Sequence, residues 1–155
     1  MNDALQRPTI EQSFIATLQE AQAADTLYRQ NGDVAALEQV VHVWQNFLAT
    51  PELSTAPDYV RFAALNNAAG ALLNCYWTIG NVADLDQALL LWQQVIALAP
   101  LSSSNRADYL NNLGAGLRAR YTRIGNLSDL QGAISAYQEA LALTPLDSPA
   151  RTICT

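Results

Sequence analysis

An internal repeat constrains this chain more than any other feature. Leu110-Asn111-Asn112 repeats Leu65-Asn66-Asn67, Gly125-Asn126 repeats Gly80-Asn81, and Asp129-Leu130 repeats Asp84-Leu85, each pair 45 positions apart. Ala133, Tyr137 and Pro145 match Ala88, Trp92 and Pro100 at the same offset. A fainter first copy lies at an offset of 48, matching Tyr28 to Tyr76, Gly32 to Gly80, Leu37 to Leu85 and Trp44 to Trp92. A fixed period in this range marks supersecondary units laid side by side rather than one closed core. Three such units, at roughly 9–50, 57–99 and 104–144, fill a single domain of 155 residues. Residues 146–155 remain as a C-terminal tail or the start of a truncated fourth unit.

Each unit reads as two helices. Apolar residues fall at Leu37, Val40, Val41, Trp44, Phe47 and Leu48, and again at Leu85, Ala88, Leu89, Trp92, Val95 and Ile96. The third set is Leu130, Ala133, Ile134, Tyr137, Ala140 and Leu141. Spacings of three, four and seven put each set on one stripe of an α-helix. Gly32-Asp33, Gly80-Asn81 and Gly125-Asn126 separate these helices from longer ones that end in Tyr28, Tyr76 and Tyr121. Glycine takes the left-handed conformation that ends one helix, and Asp or Asn caps the next. Thr9-x-x-Gln12 and Pro57-Asp58 start the first two long helices, while Pro51, Pro100 and Pro145 stop the second helix of each unit. The expected helices are 9–31, 34–50, 57–79, 82–99, 104–124 and 127–144. No stretch alternates with period two, so no sheet is expected. The fold class is all-α, three helical hairpins stacked in a row.

Composition narrows the partners. The formal charge is −6, which disfavours nucleic acid, because phosphate contacts require clustered positive charge. All eight basic residues are arginine, and Arg118, Arg120 and Arg123 cluster late in the third unit. Only 14% of residues are charged, against ~25% in ordinary domains, so much apolar surface must be buried or shared. Residues 62–83 carry no charge, yet Asn66, Asn67, Asn74, Thr78, Gly80 and Asn81 interrupt them, which fits a helix buried between helices and not a membrane span. Residues 1–14 lack the basic start and apolar core of a signal peptide, so the expected compartment is cytoplasmic. Cys75 and Cys154 form neither a disulfide framework nor a metal spacing and read as free thiols. No cofactor or metal is expected.

In their order, Asn112-Leu113-Gly114, Ala133, Tyr137, Ala140 and Pro145 resemble the Leu-Gly…Ala…aromatic…Ala…Pro pattern of the tetratricopeptide (TPR) family. The family's usual period is ~34 residues. The extra length falls as one added turn in the first helix, a longer inter-helix turn and a longer link between units. This long form is similar to the arrays found beside caspase-like CHAT protease domains, whose units read Leu-Asn-Asn-Leu-Gly…Arg-Tyr…Gly-Asn-Leu-x-Asp-Leu. The third unit matches that wording. The second has Ala68-Ala69 for Leu-Gly and Trp77 after its Tyr, and in the first Val40 replaces the small Ala. The resemblance implies a right-handed α-solenoid of three TPR-like repeats that binds a protein or peptide in a concave groove lined by the first helices.

Carried onto these repeats, the family's binding positions become Asp108, Asn111, Asn112, Ala115 and Arg118 in the third unit. In the second they become Ala63, Asn66, Asn67, Gly70 and Asn74, with Trp77 on the added turn. Asparagine offers a donor and an acceptor and can clamp an extended backbone without demanding a sequence. Arg118 suits a carboxylate. The groove residues are therefore Asn66, Asn67, Asn74, Trp77, Asn111, Asn112 and Arg118. A second reading stands beside this one: one asparagine of each pair faces into the stack and satisfies groups between helices, and the Arg118–Arg123 cluster is a solvated helix end.

Other constellations carry less chemistry. His42 is the only histidine, so any Ser/His or Cys/His device must use it, and it lies opposite the apolar stripe of its helix as a surface residue. Gly114-Ala115-Gly116 sits inside a helix and reads as close packing, not a phosphate loop. Trp44, Trp92 and Tyr137 share the buried stripe and read as core. Leu146 to Arg151 parallels Leu101 to Arg106, the lead-in to a first helix. Without a further helix, Ile134, Tyr137 and Leu141 stay partly uncovered, which fits either a piece of a longer array or a homo-oligomer through the uncapped third unit. Three function classes emerge. The first is a non-enzymatic peptide-binding scaffold, which by resemblance includes a regulatory or targeting segment of a CHAT-type effector. The second is a self-associating module, and the third an enzyme built on His42 or Cys75.

Overall fold

The computed structural model describes residues 7–146. Beyond Leu146, the expected tail lies outside the described residues. Six α-helices succeed one another: α1 (Ile10–Asn31), α2 (Val34–Leu48), α3 (Asp58–Ile79), α4 (Val82–Leu98), α5 (Arg106–Ile124) and α6 (Leu127–Leu143). There is no strand among the described residues.

The turns within each pair form as their chemistry dictates. Gly32, Gly80 and Gly125 adopt φ of +69°, +83° and +79°, and their N–H groups donate to the carbonyls of Tyr28, Tyr76 and Tyr121. An added Cβ would meet nothing within 4 Å at any of the three, so glycine is required there by backbone conformation and not by space. The side chains of Asp33, Asn81 and Asn126 then accept from the N–H groups of Ala35, Ala83 and Ser128 at 3.0, 3.1 and 3.0 Å. Thr9 and Gln12 close a reciprocal capping box at the start of α1.

Four boundaries differ from the sequence reading by one residue, at the starts of α1 and α3 and the ends of α4 and α6, and two differ by two residues. α2 stops at Leu48, not residue 50, and Pro51–Thr55 forms a short 3-10 helix. The Ser54 and Thr55 hydroxyls hold it by donating to the carbonyls of Pro51 and Glu52 at 3.0 and 3.2 Å. α5 begins at Arg106, not 104, because Ser103 and Arg106 first close two turns onto Pro100 and Ser103.

Each helix packs on the next, and the first helices also meet in turn, α1 with α3 and α3 with α5. The apolar interior is correspondingly divided along the chain. One cluster joins α1, α2 and α3 through Val40, Val43, Trp44, Phe47, Val60, Ala64 and Ala68. A second joins α3, α4 and α5 through Leu65, Leu72, Leu85, Leu89, Trp92 and Leu117. A third, smaller one holds Leu110, Ala136 and Ala140 between α5 and α6. α3 serves two of these clusters with different stripes, Val60-Ala64-Ala68-Ala71 to one side and Leu65-Ala69-Leu72-Tyr76 to the other. That double burial explains why α3 carries no charge after Arg61, and no helix among the described residues is long and apolar enough to cross a membrane.

Small residues set the closest approaches. A Cβ on Gly114 would stand 2.8 Å from the Tyr137 ring, and one on Gly116 would stand 2.8 Å from Leu89 Cδ2 and 3.0 Å from Trp92 Cζ3. Gly114 thus lets α6 close on α5, and Gly116 lets α5 close on α4. Trp44 and Trp92 are buried as expected, while Tyr137 is half-buried at the edge of its cluster.

Candidate functional site

The flank formed by α1 and α3 carries two adjoining clefts, of about 240 and 280 Å³. The first lies among Leu18, Gln22, Trp44, Asn67 and Asn74; the second among Tyr28, Asn74, Trp77 and Thr78. Asp25, Arg29 and Asn74 line both, which makes them one continuous furrow. The helical period brings Asn67, Asn74 and Trp77 together, since steps of seven and three residues stay on one face. Trp77 is 62% exposed, its ring tilted against Tyr76 at 5.3 Å between centroids. Asp25 and Arg29 form an ion pair at 2.7 Å along the opposite wall. The furrow therefore offers amide donors and acceptors, one ion pair and an aromatic platform.

The other asparagines face different surroundings. Asn66 is half-buried, and its Oδ1 accepts from Trp92 Nε1 at 3.1 Å and from Asn112 Nδ2 at 3.0 Å. A single carbonyl oxygen thereby ties α3, α4 and α5 together and satisfies the indole N–H of a residue only 1% exposed. Asn111 is half-buried and Arg118 exposed on α5, and neither lines the furrow. The Arg118 guanidinium makes no ion pair among the described residues.

Arg120 corrects the picture of a solvated arginine cluster. Its Nε and Nη2 donate to both oxygens of Asp129 at 2.9 and 2.7 Å, and its Nη1 donates to Asp86 at 2.9 Å. Hydrogen bonding to Asp129 raises its pKa further, against the opposing effect of burial. Arg118 and Arg123 remain exposed.

Two further groups of residues escaped the sequence reading. The α1 wall of the furrow was one: moving Gly70 and Trp77 back by the 48-residue offset lands on Gln22 and Arg29, so the signal was available. Arg106 was the other. Buried at the start of α5, it donates from Nη1 to the carbonyls of Ile96 and Ala99 at 2.7 and 3.0 Å, closing the C-terminus of α4, and reaches Glu139 of α6 at 3.2 Å. Nothing local announces that role.

His42 and Cys75 do line one cleft, of about 480 Å³, on the flank formed by α2 and α4. His42 is exposed and Cys75 buried. The thiol donates to the Leu37 carbonyl at 3.7 Å, and burial with nearby Asp84 and Glu38 pushes its pKa up to about 11. That is the opposite of the depressed pKa a nucleophilic thiolate requires. Among the described residues no cluster of three or more His, Cys, Asp or Glu could hold a metal ion.

No family model matches the chain, and no curated protein matches it closely enough to count as a relative.

Proposed function

We propose that this chain is a TPR-like α-solenoid of three repeats and a non-enzymatic scaffold that binds an extended segment of a partner protein along its first helices. The observation that carries this reading is the continuous furrow between α1 and α3, in which Asn67, Asn74, Gln22, Arg29 and Trp77 converge. Amide side chains at one helical face suit the backbone of an extended peptide, and Trp77 offers a large apolar contact to one of its side chains. Each hydrogen bond is worth only ~0.5–1.5 kcal/mol net, so several must act together. The contacts of α1 with α3 and of α3 with α5 support a row of first helices, the side on which such arrays hold ligands. Asn66 and Asn112 serve that row as struts, with Asn111 and Arg118 as outlying contacts for a longer ligand.

The test is affinity capture with the intact chain and with Asn67→Ala/Asn74→Ala/Trp77→Ala, read by mass spectrometry. Partners held by the wild type and lost by an equally helical variant support the reading; retention of the same partners overturns it.

A self-associating module is the second reading, and one contrast favours it. Ile134 is 48% exposed, whereas Leu89, its counterpart one unit earlier, is 2% exposed under α5. Leu127 and Leu143 are exposed on the same helix. Concentration-dependent dimers dissolved by Ile134→Glu would establish it.

A further inference from the structure

We propose that the cleft between α2 and α4 is a receptor for the guanidinium group of an arginine side chain on a partner polypeptide. The chain carries its own precedent one unit later. There the Arg120 side chain rises from α5, is gripped at both oxygens by Asp129 of α6, and is held from the preceding unit by Asp86 of α4. The repeat offsets transfer that clamp residue by residue. Asp84 stands 45 positions before Asp129, and Glu38 stands 48 positions before Asp86. The position of Arg120 itself is taken by Cys75.

The equivalent place between the first and second units thus keeps both carboxylates and replaces the cation with a shorter, uncharged side chain. What remains is a cleft of about 480 Å³ bordered by Glu38, Asp84, Asn81, His42, Gln45 and Cys75. Among the described residues no arginine pairs with Glu38 or Asp84, although Asp86 and Asp129 are both engaged one unit later. Both carboxylates line the same cleft as Cys75, the position from which Arg120 reaches its own clamp one unit later. Arginine fits better than lysine, because its planar fork matches a carboxylate bidentately whereas an ammonium is a point charge. No lining residue is shared with the furrow between α1 and α3, so this site stands or falls separately from the groove reading.

The test is a titration of isotopically labelled chain with Nα-acetyl-arginine methylamide, monitored by amide chemical shifts, with the citrulline and lysine counterparts as controls. Saturable shifts are expected at Asn81, Asp84 and Glu38, with millimolar affinity for so open a site. The lysine compound should bind more weakly and the citrulline compound not measurably. Glu38→Gln/Asp84→Asn, which alters only exposed or half-exposed side chains, should weaken arginine binding about tenfold or more. Cys75→Arg should supply the cation from within and abolish the response. Equal shifts with arginine and citrulline compounds, undiminished binding by the carboxylate double variant, or binding by a folded Cys75→Arg chain would each overturn the proposal. If Cys75→Arg does not fold, the double variant decides.

Discussion

Asn66→Ala separates a strut from a ligand contact. Asn66 Oδ1 accepts two hydrogen bonds, from Trp92 Nε1 and Asn112 Nδ2. Removing it forfeits both, each worth about 1 kcal/mol net, and strands the indole N–H inside a cluster where Trp92 is 1% exposed. An unsatisfied buried donor adds ~1–3 kcal/mol, so the combined loss should reach about 3–5 kcal/mol, less whatever relaxation recovers. Asn112→Ala loses one bond and leaves Asn66 still paired to Trp92, so about 1 kcal/mol is expected. Asn67→Ala removes only a side chain lining the furrow and should stay within about 0.5 kcal/mol of wild type. Asn66→Asp keeps an acceptor and should recover part of the loss. Urea unfolding monitored by circular dichroism and tryptophan emission measures all four, with an unchanged denaturant slope confirming that the native state alone is affected. If Asn66→Ala unfolds with wild-type stability, the strut is refuted and Asn66 becomes a binding residue again.

Other outcomes rest on the same geometry. Gly116→Ala drives a methyl group against Leu89 and Trp92 and should cost ~1–3 kcal/mol in urea melts, with α5 displaced from α4. Gly80→Ala meets no neighbour but must hold φ of +83°, so thermal unfolding should report a loss of about 1–2 kcal/mol from backbone strain alone. Cys75 should be alkylated by iodoacetamide at pH 8 far more slowly in the native chain than in urea, as peptide mapping will show, because its thiol pKa is held at about 11. The same shift makes the native state bind the thiol proton more tightly than the unfolded state does. That contribution to stability is complete below about pH 9 and is lost as pH rises toward 11, a decline that Cys75→Ala should remove.

Much of the fold could be read from local chemistry. The glycines at 32, 80 and 125, each preceding Asp or Asn, placed the hairpin turns to the residue, because both caps act within four positions of chain. The stripes of α2, α4 and α6 emerged from their period, although Val43 joins the core while Val41 is only half-buried. The 3-10 turn at Pro51–Thr55 was missed because a proline marks where a helix stops without specifying the conformation of the residues after it. Long-range polar roles were less accessible. That Asn66 faces inward and Asn67 toward the furrow depends on where Trp92 lies, and the clamp on Arg120 depends on Asp86 one unit away. Arg106 was unreadable for the same reason, its partners being main-chain carbonyls at the end of another helix.

The most direct measurement is the footprint of a bound peptide. A ligand selected from a displayed random-peptide library against the intact chain would be added to labelled protein, and amide shifts would be mapped. Perturbations should concentrate at residues 22–29 of α1 and 67–77 of α3, and Asn67→Ala/Asn74→Ala/Trp77→Ala should lose binding. A footprint confined to α6, or selected peptides that bind the triple variant as tightly as the wild type, would contradict a binding groove on the first helices.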